Sequence, residues 1–440
     1  MGFNFFEIGY PSLEETEMKK LKSIFLIIIL SILLAYVTSI SNIPESIILF
    51  EGEKLNLATL FGVTISKQED LPISSNVNGS DVQYSKTENY EVSLLDKLKI
   101  KTIEANIIPK TKVIPIGTTI GLKLHTNGVL VVGMSEVKNI NNEKTKPYAN
   151  TRIKEGDMIV EVNGTPITST DDLVKTVNLS KGNNINIKYV RDDETYTEEI
   201  KPTQTDSTEY KLGLWVRDTA AGIGTISFYE PETKKFAALG HGILDIDTKN
   251  LISIQKGEIT TANILSISKG EKGIPGEIRG SLIGQNIIGS ISKNTVLGIY
   301  GVVNNTGLLN LNGAEEVEVA LRDEIKVGKA TLICMLENNK KEEYEVEIQK
   351  IFENNNLDNK SMVVKITDKR LLDKTGGIIQ GMSGSPILQN GKLVGSLTHV
   401  LVSDPTKGYA VFADMMVKQM REPWLFGVAT SEIMNKIAII

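Results

Sequence analysis

The first strong pattern along the chain is an uninterrupted apolar stretch near its start. Residues 23–40 are eighteen uncharged and mostly aliphatic residues, which as a helix would extend about 27 Å, close to the hydrocarbon thickness of a bilayer. Lysines precede the stretch and glutamates follow it: Lys19, Lys20, Lys22, Glu45, Glu51 and Glu53. This bias predicts a single-pass anchor, residues 23–40, with residues 1–22 as a cytoplasmic tail and the remainder exported. A cleaved signal peptide is the competing interpretation, and Met18 is an alternative start.

Beyond the anchor the pattern changes to short alternating runs. Residues 41–103 are predicted to form a membrane-proximal region, with strands within 46–50 and 55–65 and a polar linker over 67–92. Residues 104–204 combine short β-rich runs with one helix-like stretch at 171–177. From 205 to 440 the runs are short strands punctuated by glycine, with a closing helix after Asp414. The prediction is a mainly β protein with an N-terminal transmembrane helix, an α+β module and a C-terminal β-barrel domain.

Composition and charge narrow the classes of function. The 440 residues carry 48 Lys and Arg against 54 Asp and Glu, a formal net charge of −6, so nothing global favours a nucleic-acid partner. The single cysteine, Cys334, excludes an internal disulfide framework and a cysteine-rich metal site, and its apolar neighbours predict a buried strand residue. Clusters of His, Asp and Glu with ligand spacing are missing from the sequence, so neither a metal nor an organic cofactor is expected.

Residues 104–204 carry the signals of a peptide-binding module. Residues 119–122, Thr-Ile-Gly-Leu, have the pattern of a loop whose glycine lets successive backbone N–H groups face a peptide carboxylate. A Gly-Asp pair at 156–157 then precedes an alternating strand that ends in an Asn-Gly turn at 163–164. With the following helix, these motifs resemble a circularly permuted PDZ domain of bacterial envelope proteases. The resemblance implies that a peptide strand binds beside Ile120, Gly121, Leu122 and Leu124. Nearby His125 is expected to be a structural strand residue.

The most informative stretch is 381–386, Gly-Met-Ser-Gly-Ser-Pro, which an apolar strand and a hairpin turn follow. A serine between such glycines is typical of a chymotrypsin-like nucleophile loop. Gly381 allows the main chain to turn so that its own N–H and that of Ser383 converge as an oxyanion hole. Ser383 is therefore the candidate nucleophile, and Ser385 ranks below it.

A serine hydroxyl needs a base within hydrogen-bond reach, and the chain has only His125, His241 and His399. His241 lies between two glycines at the end of an apolar strand, which favours it as the base. His399 lies inside a strand and is predicted to be a packed core residue. A Ser–Lys dyad that uses Lys374 or Lys392 is a weaker alternative.

A third group should orient the imidazole and stabilise the imidazolium formed during attack. Asp368 closes an apolar strand 127 residues after His241 and 15 residues before Ser383. In the wider chymotrypsin pattern the acid lies in the first barrel, far before the serine, so a structural role near the nucleophile loop is an alternative for Asp368. Asp245 and Asp247, close to His241 in sequence, are alternative orienting groups.

Taken together, the anchor, the PDZ-like module and the Gly-His-Gly, Ile-Thr-Asp and Gly-Met-Ser-Gly-Ser-Pro motifs closely resemble the SpoIVB peptidase family of endospore-forming bacteria. The resemblance implies Ser383 as nucleophile, His241 as general base and Asp368 as acid partner.

The same resemblance implies a serine endopeptidase of sporulation, located in the space between the forespore and mother-cell membranes. Its expected substrates are the chain itself, by autoproteolysis, and a membrane-associated regulator of an intramembrane protease. That cleavage would lead to activation of a late mother-cell sigma factor, a signalling role. A non-catalytic PDZ-containing envelope scaffold is the alternative function.

Overall fold

The computed structural model describes residues 13–41, 43–52, 55, 62–68, 86–95, 97–192, 194–311, 313–337, 340–352 and 359–422. The chain divides into two compact units, residues 1–107 and 108–440. Most described residues are in strands, and an apolar helix lies near the N-terminus, which confirms the predicted mainly β fold class. The first twelve residues of the predicted tail lie outside the described residues.

The first unit is a helix followed by a four-stranded sheet. Helix α1 (Leu13–Ser41) contains a 22-residue segment, Lys20–Ser41, whose mean hydropathy is 2.6. It is long and apolar enough to cross a bilayer, as both an anchor and a signal sequence are. The strands, which lie in the spatial order β1-β4-β3-β2, are β1 (Ser46–Phe50), β2 (Val63–Lys67), β3 (Lys86–Leu94) and β4 (Leu98–Ile108).

Strand β3 corrects the predicted linker over 67–92, whose residues 69–85 lie outside the described residues. From Tyr90 to Leu94 apolar residues alternate with polar ones, which is the period of a strand with one buried face. Val92 is fully buried, in a cluster with Ile43, Val63 and Ile103. The end of the predicted linker is therefore part of the sheet.

The second unit begins with the elements that lead into and build an α+β module. In chain order they are β5 (Lys112–Pro115), β6 (Thr119–Met134), β7 (Val137–Lys138), β8 (Lys144–Thr145), β9 (Met158–Val162), β10 (Thr165–Pro166), α2 (Thr170–Leu179), β11 (Ile185–Arg191), β12 (Glu194–Ile200), β13 (Thr203–Gln204) and β14 (Tyr210–Lys211).

The remaining elements are again mostly strands. They are β15 (Leu214–Glu230), β16 (Lys235–Ala238), β17 (Ile254–Ser268), β18 (Glu277–Thr295), β19 (Gly298–Val303), β20 (Val317–Glu318), β21 (Gly328–Glu337), β22 (Lys340–Ile351), β23 (Met362–Ile366), α3 (Lys369–Thr375), β24 (Pro386–Gln389), β25 (Lys392–Val400), β26 (Lys407–Phe412) and α4 (Ala413–Arg421). Helix α4 follows the last strand, where the sequence predicts a closing helix.

The strands form two antiparallel barrels. In the first, the pairings run β6-β17-β18-β19-β16-β15, and β15 pairs back to β6 to close the ring. The second is a closed barrel in the order β21-β22-β23-β26-β25-β24. Ring closure removes the free edges that an open sheet would expose. Apolar residues fill the first barrel, among them Phe236, Ile259 and Ile299, all fully buried.

The α+β module is inserted between two strands of the first barrel. The start of β6 pairs with β15 and β17 inside the barrel, whereas its end, Val129 and Leu130, pairs with β9 of the module. The module has its own core, which includes Val131, Leu173 and Leu212. The predicted ranges 104–204 and 205–440 contain β6 and β15 respectively, and the structure shares each of these strands between the module and the first barrel.

Candidate active site

A cavity of about 400 Å³ lies between the two barrels. Strands β6 and β15 and the chain after β16 line one side, and the segment 380–383 and His399 line the other. The first barrel contributes mostly aliphatic side chains, including Leu122 and Leu124, while the second contributes polar groups. Residues that are remote in sequence therefore meet in one apolar cleft, a common setting for a catalytic site.

Ser383 lies on the tight loop that leads into β24. The φ angles of Gly381 and Gly384 are +97° and +99°, in the region that favours glycine. A Cβ atom at Gly384 would collide with the main-chain carbonyl of Thr225 in the first barrel. The loop sequence is therefore dictated by close approach of two backbones.

Thr225 of β15 fixes this loop from the first barrel. Its N–H donates to the carbonyl of Ser383 at 3.0 Å, and its hydroxyl donates to the carbonyl of Gly381 at 2.8 Å. Thr225 itself is almost completely buried. Both carbonyls on either side of Met382 are thus turned toward the first barrel, and neither the Gly381 nor the Ser383 amide has a backbone acceptor among the described residues.

The hydroxyl of Ser383 donates to the carbonyl of Thr398 at 2.6 Å. The structure therefore places the predicted nucleophile in the cavity with His241, but with its proton directed to a main-chain oxygen of β25. Catalytic hydrogen bonds are often absent or long before substrate binds. Among the described residues the Ser383 hydroxyl makes no hydrogen bond to His241, so attack requires the hydroxyl to leave the Thr398 carbonyl and turn toward the imidazole.

His241 follows β16 in a turn where Leu239 and Gly240 have positive φ angles of 69° and 68°. Its Nδ1 lies 2.9 Å from the carbonyl oxygen of Gly242. Because a carbonyl can only accept, Nδ1 carries the proton and Nε2 keeps its lone pair. Burial lowers the pKa of His241 from its ordinary 6.5, which the bond to Gly242 partly opposes. The ring is therefore neutral near pH 7, in the tautomer that can accept a proton at Nε2.

His399 also reaches the cavity, which corrects the prediction of a packed core residue. Its side chain is exposed, and its ring centroid lies 4.8 Å from that of His241 with the planes tilted by 49°. The register of β25 against β26 shifts between Leu397 and Val400. This irregularity breaks the simple alternation that the sequence pattern assumes, and it turns His399 out of the core.

Asp368 is not brought to His241. It is the N-cap of α3, where its carboxylate accepts from the Arg370 N–H at 2.9 Å and from the Arg370 guanidinium at 2.7 and 3.1 Å. It lines a separate surface cavity with Glu345 and Gln389. Arg370 lowers the pKa of Asp368 below its ordinary value. The prediction of Asp368 as a direct acid partner is therefore wrong for this arrangement, and the structural alternative fits it.

The other predicted carboxylates also have different partners. Asp245 and Asp247 both bind the guanidinium of Arg217, at 2.7 and 2.8 Å. Asp245 in addition accepts from main-chain N–H groups of its own turn. In the described part of the chain, the orienting contact to His241 Nδ1 comes from the Gly242 carbonyl and not from a carboxylate.

The lysine and serine alternatives are placed away from this chemistry. Lys374 pairs with Glu337, and Lys392 pairs with Glu324 at 2.6 Å, so both ammonium groups have partners outside the cavity. The Ser385 hydroxyl is fully buried and donates to the Met382 carbonyl at 2.7 Å. Ser385 therefore stabilises the loop that presents Ser383.

Comparisons with known proteins identify two regions of the chain. Residues 208–417 match the model of the SpoIVB peptidase S55 family, and residues 119–201 match a PDZ domain model. The chain is therefore similar to the SpoIVB peptidase S55 family over residues 208–417. The predicted family, the PDZ domain and the serine endopeptidase class are thereby confirmed. No curated protein matches the sequence.

Solved structures match parts of the chain. The PDZ domain of an SdrC-like protein from Listeria monocytogenes is 24% identical over 20% of this chain and 87% of that one, with a TM-score of 0.17. The solution structure of GtR34C from Geobacillus thermodenitrificans is 24% identical over 20% and 94%, with a TM-score of 0.16. The HtrA-type protease AlgW with a decapeptide is 10% identical over 50% and 55%, with a TM-score of 0.28.

The predicted peptide-binding residues do not form a free strand edge in the structure. Residues 120–124 of β6 are paired to β15 on one side and to β17 on the other. Ile120, Leu122 and Leu124 are buried in the first barrel, and Gly121 is packed against Thr260 and Leu282. A ligand strand has no backbone groups to pair with there, so this prediction is wrong. Leu122 and Leu124 instead line the cavity that contains Ser383.

The same sequence pattern recurs at 211–214, Lys-Leu-Gly-Leu, which our sequence analysis missed. Gly213 has a φ angle of +75°, and within the described chain the following residues 214–217 pair only with β6. Helix α2 runs antiparallel beside this segment, since the Thr170 N–H at its start donates to Asp218 at 2.7 Å and Asn178 near its end accepts from the Tyr210 N–H at 2.8 Å. A glycine turn, an unpaired edge and an adjacent helix coincide here. A search for every apolar-Gly-apolar pattern next to a strand would have found it.

Proposed function

We propose that this serine peptidase is a membrane-anchored endopeptidase of sporulation that cleaves itself and a membrane-associated regulator, with Ser383 as nucleophile and His241 as general base. The observation that supports these roles is that Ser383 and His241 come from different barrels to line one cavity, with His241 in the accepting tautomer. The family match and the N-terminal apolar helix support the sporulation role and the anchor.

The proposed reaction begins when the Ser383 hydroxyl turns from the Thr398 carbonyl to Nε2 of His241. His241 takes the proton as Oγ attacks the peptide carbonyl carbon, and then gives it to the leaving amine. The Gly242 carbonyl accepts the Nδ1–H throughout, so it holds the tautomer that an aspartate holds in the better-known triads. A carbonyl dipole stabilises the imidazolium less than a carboxylate does. Water then hydrolyses the acyl-enzyme by the reverse proton path.

The negative charge that develops on the substrate oxygen would be bound by the amides of Gly381 and Ser383. Each such donor is worth roughly 3 kcal/mol of transition-state stabilisation. The bonds from Thr225 to the two loop carbonyls hold the loop that carries these amides in place before substrate binds. The first barrel therefore holds this loop of the second barrel in position.

The test is to purify the full chain in detergent and map its fragments by mass spectrometry over time. We expect Ser383→Ala and His241→Ala to abolish the fragments, whereas His125→Ala, a histidine on β6 that does not line the cavity, leaves them unchanged. A serine-directed fluorophosphonate should label the wild type at Ser383 and fail to label the His241 variant. Fragments that persist at the wild-type rate in Ser383→Ala would reject the assignment.

The PDZ domain is proposed to bind an extended peptide between residues 214–217 and α2, by addition of a strand to the unpaired edge. The backbone turn at Gly213 would face the peptide carboxylate. A Gly213→Val variant should lose binding of C-terminal peptides in fluorescence polarisation while fluorophosphonate labelling of Ser383 persists. Unchanged peptide affinity would place the groove elsewhere.

A further inference from the structure

The β3–β4 hairpin exposes apolar side chains at its tip. Leu95 and Leu98 are 64% and 62% exposed, and the neighbouring Lys97 and Lys99 are exposed as well. Leu95 is held in place because it has a φ angle of +54° and its N–H donates to the Gly62 carbonyl at 2.6 Å. Transfer of these two leucine side chains from water to an apolar environment would be favourable, so the tip is suited to contact with an apolar partner.

The start of β4 points back toward α1. Lys101 Nζ donates to the carbonyl of Ile43 at 2.7 Å, just beyond the end of α1, and the Glu104 N–H donates to the Glu45 carbonyl at 2.9 Å. Strand β4 thus runs parallel to the segment that follows α1. Leu98 precedes Lys101 by three positions, which places it about 10 Å further toward the helix.

A shared apolar cluster determines where the hairpin tip lies along the axis of α1. Tyr36 of α1 packs against the cluster of Ile43, Val63, Val92 and Ile103, and so does Leu94, the cross-strand partner of Leu98. Tyr36 precedes the end of α1 at Ser41 by five residues, about 7.5 Å along the axis. The tip therefore lies level with the last turns of the apolar helix, and tyrosine is a residue that favours the membrane interface.

We propose that the described residues of the hairpin tip, 94–95 and 97–99, are a second membrane contact that inserts Leu95 and Leu98 into the interface of the leaflet facing the exported part. The occupant is the lipid of the bilayer that α1 crosses, so the proposal rests on the anchored state proposed above. Lys97 and Lys99 flank the leucines and suit anionic headgroups, although Lys99 also pairs with Glu91 at 3.1 Å. Two points of contact would limit the tilt of the sheet relative to the membrane.

The experiment uses the full chain with Ser383→Ala, which prevents self-cleavage, in liposomes of phosphatidylcholine and phosphatidylglycerol. A polarity-sensitive fluorophore is attached at Leu98→Cys and, as a matched control, at Leu265→Cys, a leucine on β17 that is 70% exposed against 62% for Leu98. The native Cys334 is buried and stays unlabelled. We expect the label at residue 98 to be quenched several-fold more by a lipid-borne quencher, and several-fold less by aqueous iodide, than the label at residue 265.

The outcomes separate the hairpin from the anchor. Equal iodide quenching at both sites, in protein that resists alkaline carbonate extraction, overturns the hairpin contact and leaves the anchor intact. A label at residue 98 that neither quencher reaches means that protein covers the leucines, which also overturns the proposal. Loss of the chain on carbonate extraction overturns the anchored state and the hairpin contact together.

Discussion

Replacement of Asp368 distinguishes a helix cap from a catalytic acid. In the structure its carboxylate accepts from the Arg370 N–H and guanidinium, and from the Glu345 N–H at 3.3 Å. Serine caps helices about as well as aspartate does. Asp368→Ser therefore removes the negative charge and the ion pair but keeps the helix cap. Asp368→Ala removes the charge, the ion pair and the cap.

The two roles predict losses of very different size when Asp368 is replaced. An N-cap replaced by alanine costs about 0.5–2 kcal/mol of stability. The pair with Arg370, whose side chain is 64% exposed, adds at most about 1 kcal/mol after solvent screening. Loss of a triad acid, in contrast, lowers kcat by on the order of 10⁴-fold, about 5.5 kcal/mol of transition-state stabilisation.

We therefore expect Asp368→Ser to keep kcat within a few-fold of the wild type and Asp368→Ala to lower the melting temperature with a similarly small change in kcat. Both are measured on the purified full chain with a peptide substrate, below the melting temperature of either variant. The reasoning is refuted if Asp368→Ser loses several orders of magnitude in kcat while its melting temperature is unchanged. His241→Ala provides the reference for a catalytic loss.

Three further predictions follow from the same geometry. Thr225→Val leaves the half-buried carbonyl of Gly381 without its donor, so the free energy of unfolding should fall by about 1 kcal/mol and kcat should fall with it. Thr225→Ser keeps the hydroxyl, so its free energy of unfolding in denaturant titrations and its kcat in rate assays should fall less. Because burial lowers the pKa of His241, kcat/KM should decline only below pH 6.5, the ordinary pKa of histidine, and an acid limb centred above pH 6.5 would contradict this. The unfolded chain takes up the proton first as pH falls, so the stability that this group contributes above pH 6.5 is lost as pH falls through the lowered pKa. Burial raises the pKa of Cys334 to about 12, so iodoacetamide should modify it in mass spectra only after denaturation, and rapid modification of the folded chain would show that the thiol is accessible.

The sequence was most informative where function depends on local geometry. The loop around Ser383 needs glycines at positive φ, and the turn before His241 needs Gly240, so both motifs can be read from neighbouring residues. The buried position of Cys334 in β21 likewise follows from its apolar run. These features depend on a few adjacent residues, which a single sequence displays directly.

The errors lie where the outcome depends on pairing between distant segments. The pattern at 119–122 is compatible with a ligand-binding loop, but strands about 100 and 140 residues further along the chain occupy both of its edges. Asp368 follows the expected order of His, Asp and Ser, yet order along the chain does not specify which end of a barrel a residue reaches. His399 is exposed by a shift in strand register, which depends on the neighbouring strand rather than on its own sequence.

The shared strands also change how the PDZ domain relates to the active site. Leu214 and Val216 pack against the module core, and residues 220–223 of the same strand line the catalytic cavity. Seven residues of β-strand separate 214 from 221, about 23 Å, and β6 makes the same crossing beside it. The PDZ domain and the first barrel are thus joined by two paired strands. With a flexible linker instead, the effective concentration of a bound peptide at the cavity would be set by the length of the linker. A peptide bound at the 214–217 edge must therefore supply about seven extended residues of its own before its scissile bond reaches Ser383, which favours long unfolded segments over short tails as substrates held by both sites at once.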